Sequence, residues 1–192
     1  MTEWPSYKVA DEDSVYALGV VNINYVRFES TLVYMLAAVA NMKLNQAAVF
    51  ISRTGASERG NLIKVFASKR EWPAEAAQAI DHYLKALRIL TENRNVLIHG
   101  NIVDLWETKN PSIITMDREG LTSVTQLSLS AIRDVADDIQ AFGGFGYMLA
   151  CYLASGFSKM ALEAGMAAPS RPPPLLDLPK PVRPPQPKKP VA

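Results

Sequence analysis

The sequence predicts a mainly α fold, an antiparallel helical bundle with a small β-hairpin inserted before the last long helix. Three observations carry this. Apolar residues recur at helical spacing through three long stretches of the chain. Between the second and third of these, the pattern switches to alternation of apolar and polar side chains. Ten of the 13 prolines lie from Pro169 onward, so the body is almost free of proline. With 192 residues, 48% of them hydrophobic, the chain can bury the core of one ordinary domain. Residues 1–168 are read as that domain and residues 169–192 as a tail.

The first helix is predicted from about Asp13 to Leu44, a stretch without proline, with Val15, Leu18, Tyr25, Val26, Leu32, Val33, Leu36, Val39 and Ala40 along one stripe. Asn22 and Glu29 stand seven residues apart on the same stripe and are expected to face inward, where a lone carboxylate is costly and needs a partner. Short helices follow at Gln46 to Arg53 and at Ser57 to Ser68, the second opened by its serine, with Gly55 and Gly60 as breakers nearby. After Trp72-Pro73, the residues Ile80, Leu84, Leu87, Leu90, Arg94 and Leu97 mark another helix, running at least through Thr91, that Gly100 can stop. Strands are expected near 101–107 and 112–117, on either side of Asn110-Pro111. Helical spacing returns from about Leu127 to Ala164 and becomes apolar almost all round between Ala141 and Leu153. That run approaches the length of a membrane span. Gly143, Gly144, Gly146, Ser155 and Gly156, together with the absence of dense basic flanks, make it read as a buried core helix that lets a neighbour approach closely.

Charge and composition narrow the classes of function. The net charge is +1, but the last 24 residues alone carry +4, which leaves the body at −3. A domain that grips long nucleic acid through its phosphates usually has a strong basic excess, so any nucleic-acid contact here is expected to be local. The single cysteine, Cys151, can form neither an internal disulfide nor a cysteine-based zinc site. Two histidines in no ligand-like spacing give no metal pattern, and no phosphate-binding glycine loop is present, so neither metal nor cofactor is expected. The N-terminal residues lack the basic and apolar regions of a secretory signal, and the expected location is the cytoplasm, with no membrane association. His82, beside Asp81 and Lys85, reads as part of a solvated face.

The tail, SRPPPLLDLPKPVRPPQPKKP with its flanks, is expected to be extended, rich in polyproline II and largely disordered. Its PxxP spacing is of the kind that aromatic-lined grooves bind, so either a protein partner or a merely solubilising role fits it.

The segment TENRNVLIHG concentrates Arg94, Asn95 and His99 at the end of a core helix. Asn95 and His99 are four apart and share a face, whereas Arg94 lies along the apolar stripe and is expected to point inward, with Glu29 as the carboxylate available to it. Arg-Asn-x3-His-Gly resembles the Arg-x4–6-His signature of the HEPN superfamily, and a long first helix with an inward Glu also resembles small bacterial HEPN-like proteins. The hairpin after Gly100 lies outside the minimal helical core of that superfamily and reads as an insertion.

The resemblance implies metal-independent RNA cleavage, in a toxin or defence setting, at a site that a homodimer forms. His99 would then exchange a proton with the 2′-hydroxyl or the leaving 5′-oxygen, Arg94 would stabilise charge on the phosphate, and Asn95 would orient one or the other, with Glu29 and Asn22 in support. A different class fits the same residues: a non-catalytic interaction or scaffold protein, in which His99 caps the helix and Arg94 pairs with Glu29 to fix register.

Overall fold

In a computed structural model that describes residues 12–103, 112–116, 122–154 and 169–182, five helices and three strands succeed one another. They are α1 (Glu12–Ala40), α2 (Leu44–Arg53), α3 (Ala56–Ala67), α4 (Ala74–His99), β1 (Asn101–Val103), β2 (Ser112–Met116), β3 (Thr122–Gln126) and α5 (Leu129–Leu153). The mainly α class holds.

α1 buries part of the apolar stripe in its sequence, with Tyr25, Leu32, Leu36 and Val39 in the core, together with a row including small and polar residues that the stripe does not mark. Ser14, Ala17, Val21, Asn24, Phe28, Thr31, Met35 and Ala38 alternate at steps of three and four residues, and all are buried. Val15 and Val26, placed inward by the sequence, are 53% and 59% exposed, and Asn22 is exposed with them. The inward asparagine is Asn24, whose Nδ2 donates to the Ala136 carbonyl of α5 at 3.1 Å. Small residues on this face let α1 and α5 pack along most of their length.

The helix ends at Ala40, four residues earlier than expected. Asn41 takes φ 50°, the Met42 amide donates to the Ala37 carbonyl and the Asn41 amide to that of Ala38. This is a Schellman stop, in which asparagine is the side chain that best tolerates the left-handed conformation after glycine.

The three long helices alternate in direction. Asn24 meets Ala136, Phe28 lies by Gly143 and Tyr34 stacks edge-on against Tyr147, so α1 and α5 run parallel. α4 runs antiparallel to α1, with Tyr25 bonded to Thr91 and Thr31 to Tyr83. Consecutive long helices are therefore antiparallel, and Arg70, which donates to the Ala38 carbonyl, shows that α2 and α3 leave and rejoin the end of α1 at which α4 begins.

Two tyrosine–threonine relays set the register of α1 and α4. Thr31 donates to the Phe28 carbonyl at 2.7 Å, so its oxygen accepts the Tyr83 hydroxyl at 2.9 Å. In the opposite sense, the Tyr25 hydroxyl donates to Thr91, which donates to the Leu87 carbonyl. Burial pushes the Tyr83 phenol well above the ordinary tyrosine range, and burial likewise raises Tyr25. Tyr83 fits because Gly146 of α5 has no side chain, since a Cβ there would fall 2.5 Å from the ring. This is the close approach that the GGFG segment foreshadowed, made to a tyrosine of α4.

The sheet is antiparallel in the order β1-β2-β3, with Ile102 opposite Ile113 and Ile114 opposite Val124. Ile113 is buried and β2 packs on α4. The expected hairpin is therefore present as two strands of a meander, while the rest of its first strand and the Asn110-Pro111 turn lie outside the described residues. β3 was not anticipated, because TSVTQ has one apolar residue, Val124, which is 59% exposed. Backbone pairing with β2 holds it. α5 starts after Ser128, whose hydroxyl accepts from the Ala131 amide, and stops at Leu153 because Ala154 leaves the helical region. Residues 155–168, placed in this helix as far as Ala164, lie outside the described residues. Among the described residues no helix is long and apolar enough to cross a membrane.

Residues 169–182 have no regular hydrogen-bonded structure, as their prolines require, but they are not the free tail expected: Pro173 and Pro179 are buried against the body.

The glycines of α5 make a paired test of this packing. Gly146→Ala should destabilise the fold by about 1–3 kcal/mol, through displacement of Tyr83. Gly144→Ala meets nothing within 4 Å and should stabilise it by about 0.5–1 kcal/mol, since alanine favours helix. Urea denaturation of the two variants checks both signs.

Candidate functional site

The last two turns of α4 place four polar residues in three different settings. Asn93 is 1% exposed and faces the core side, Arg94 is half-buried, and Asn95 and His99 are exposed. The helix stops at Gly100, which donates to the Val96 carbonyl and is itself extended, at φ −71° and ψ 145°. That conformation suits any residue, so the stop reflects the start of β1 at Asn101, paired with Ile114, rather than glycine's freedom.

Arg94 does not enter the core as expected. Its guanidinium lies over the Tyr25 ring of α1, 5.3 Å from the centroid, held there by the α1–α4 register. From this position Nη2 donates to Asn22 Oδ1 at 3.4 Å and Nη1 to Asn95 Oδ1 at 3.3 Å. Nη1 also lies 2.9 Å from His99 Nε2. A guanidinium can only donate, so in this contact Nε2 accepts and the imidazole is neutral, with its proton on Nδ1. The structure thus brings Arg94, Asn95, His99 and Asn22 together at the solvent edge of the bundle. Asn95 and His99 share a helix face, as their spacing implies, and Arg94 connects them.

Glu29 is not part of the cluster. Its carboxylate pairs with Arg59 of α3, which is itself held by donation from Nε to the Thr54 carbonyl at 3.0 Å. The expected Arg94–Glu29 pair is therefore replaced by Arg59–Glu29, a pairing the sequence hides because Arg59 sits in a short helix of mixed polarity. Among the described residues no carboxylate pairs with Arg94. An arginine whose hydrogen-bond acceptors are amide oxygens and an imidazole nitrogen retains its full charge for an incoming anion. Its Nε is buried without a partner.

His82 does not belong to a solvated face. Its ring packs 5.8 Å from Phe142 and 6.0 Å from Phe145, with Nε2 buried and unbonded. Among the described residues no three histidine, cysteine, aspartate or glutamate side chains gather closely enough to hold a metal ion.

Set against protein-family models, curated proteins and solved structures, the chain has no match, so the site is read from its own geometry.

The exchange of ion-pair partners makes the two arginines separable. Arg59→Ala leaves Glu29 part-buried and unpaired and should cost about 1–2 kcal/mol. Arg94→Ala keeps that pair and should cost less than about 1 kcal/mol, the worth of a half-exposed contact with an aromatic face. Denaturant midpoints of the two variants measure the difference.

Proposed function

We propose that the Arg94–Asn95–His99 cluster binds a phosphodiester and that the protein is a metal-independent endoribonuclease of HEPN type. The observation that carries this reading is the contact between Arg94 Nη1 and His99 Nε2 at 2.9 Å, on an arginine with no carboxylate partner among the described residues. A cationic group beside a neutral imidazole, at the water-facing end of a fixed helix, has the makings of an anion site with an adjacent base.

In the reaction, a phosphate oxygen takes the guanidinium donors, and Nη1 leaves Nε2. Neutral His99 then removes the proton of the RNA 2′-hydroxyl as that oxygen attacks phosphorus. The bond from phosphorus to the 5′-oxygen breaks, and the leaving oxygen takes a proton from an imidazolium. The products are a 2′,3′-cyclic phosphate and a free 5′-hydroxyl. Asn95 and Asn22 hold the guanidinium in the plane that meets the phosphate.

Acid and base are different protonation states, so two copies of the chain, each giving one histidine, suit the chemistry better than one. The exposed apolar side chains Val15, Tyr16, Ile23 and Val26 of α1, beside Asn22, are a surface on which a second copy could pack.

The competing reading is a non-catalytic interaction protein in which His99 serves the helix end. It is favoured by the position of His99 in the last turn of α4. His99→Ala separates the two. Under the nuclease reading, cleavage of single-stranded RNA, followed by the appearance of cyclic-phosphate ends, should fall roughly 10²–10⁴-fold while the melting temperature hardly moves. Loss of stability with no cleavage by the parent protein would instead support the interaction protein.

A further inference from the structure

The proline-rich segment meets the body with a strict repeat. Pro173 is buried, Leu176 part-buried, Pro179 buried and Val182 part-buried, while Pro174, Leu175, Asp177, Leu178, Lys180 and Pro181 between them are exposed. Leu176 and Val182 pack against the hydrophobic core. A period of three is that of a polyproline II helix laid along a surface by one of its three edges.

The backbone is clasped at one point. Asn93 Nδ2 donates to the Lys180 carbonyl at 2.9 Å, and Asn93 Oδ1 accepts from the Val182 amide at 2.8 Å. Pro179 and Pro181 have no amide hydrogen, so Val182 offers one of the few backbone donors in this stretch, and a buried carboxamide is aimed at it. On the other side, Lys180 lies near enough to α5 to offset part of the upward shift that burial, Asp134 and Asp137 impose on Asp138. The segment therefore rests beside both α4 and α5, held by Asn93, whose side chain leaves α4 about 100° around the helix from that of Arg94.

These contacts read a pattern. A carboxamide that pairs with a carbonyl and the amide two residues later recognises extended backbone whatever its side chains, and apolar contacts at every third position select the sequence. We propose that this face of α4 and α5 is a recognition surface for proline-rich peptides of the pattern Pro-x-x-Leu-x-x-Pro-x-x-Val, and that residues 173–182 are its ligand held in cis. The same segment presented in trans binds there once the resident one is released.

The test uses the full chain and a fluorescein-labelled peptide of residues 171–183. In the parent protein the tethered segment competes at an effective concentration of about millimolar, so the peptide should bind poorly. Leu176→Asp with Val182→Asp spoils the resident ligand and should raise peptide affinity, read by anisotropy, by at least about tenfold. Adding Asn93→Leu should reverse that gain. In the otherwise native chain, Asn93→Leu should speed exchange of the Val182 amide hydrogen by about tenfold or more, through loss of its acceptor.

Equal exchange at Val182 in the parent and Asn93→Leu proteins would overturn the clasp. Failure of the double aspartate variant to bind peptide while its helical circular dichroism is intact would overturn the recognition surface. Loss of that helical signal would do so as well, because the segment would then be a fixed part of the core.

Discussion

The α1–α4 register is the constraint on which the rest of the molecule depends. It is written in two hydroxyl relays of opposite polarity, Tyr83 to Thr31 to the Phe28 carbonyl and Tyr25 to Thr91 to the Leu87 carbonyl. Each phenol satisfies its own hydrogen and each threonine returns a bond to its own helix, so no donor is left over in a setting where an orphan is expensive. Hydrophobic burial alone would allow α4 to slide along α1. The relays permit one setting, and that setting lays Arg94 over the Tyr25 ring within reach of Asn22.

Because α4 is fixed in this way, neighbouring residues on it face different tasks. Asn93 turns toward α5 and holds the proline-rich segment, while Arg94 turns toward α1 and reaches Asn95 and His99. About 100° of helix rotation separates consecutive side chains. The charge balance follows from the same geometry. Glu29 is satisfied by α3, so the cation at the end of α4 is met by neutral partners among the described residues.

Helix existence was legible in the sequence, and helix facing only in part: Tyr25, Leu32, Leu36 and Val39 of the α1 stripe are buried, whereas Val15, Asn22 and Val26 are not. On α1 the true inward row contains Ser14, Asn24 and Thr31, and it looks less hydrophobic than the row through Val15, Leu18, Asn22 and Val26. Close packing against α5 favours small and hydrogen-bonded residues over bulk, which inverts the usual signal. The same ambiguity affects α4. Leu90 and Leu97 flank Asn93 at steps of three and four, and flank Arg94 at steps of four and three, so the pattern cannot say which polar residue turns inward. The grouping of Arg94, Asn95 and His99 was readable because local spacing on one helix produces it. The Arg59 partner of Glu29 was not, since a contact across 30 residues depends on how α3 is laid against α1. Proline content correctly forbade regular structure in the tail, but composition carries no record of the Asn93 carboxamide waiting for it.

The notch at Gly146 also constrains how this sequence can drift. The Tyr83 ring occupies the volume that any side chain at position 146 would need, so the two sites cannot be altered in arbitrary order. An enlarged residue 146 is tolerable only in a background where position 83 has already become small, and a small residue 83 first passes through a variant with a void where the ring stood and no phenol for the Thr31 oxygen to accept from. Descendants of this chain should therefore keep the pair together or change it together.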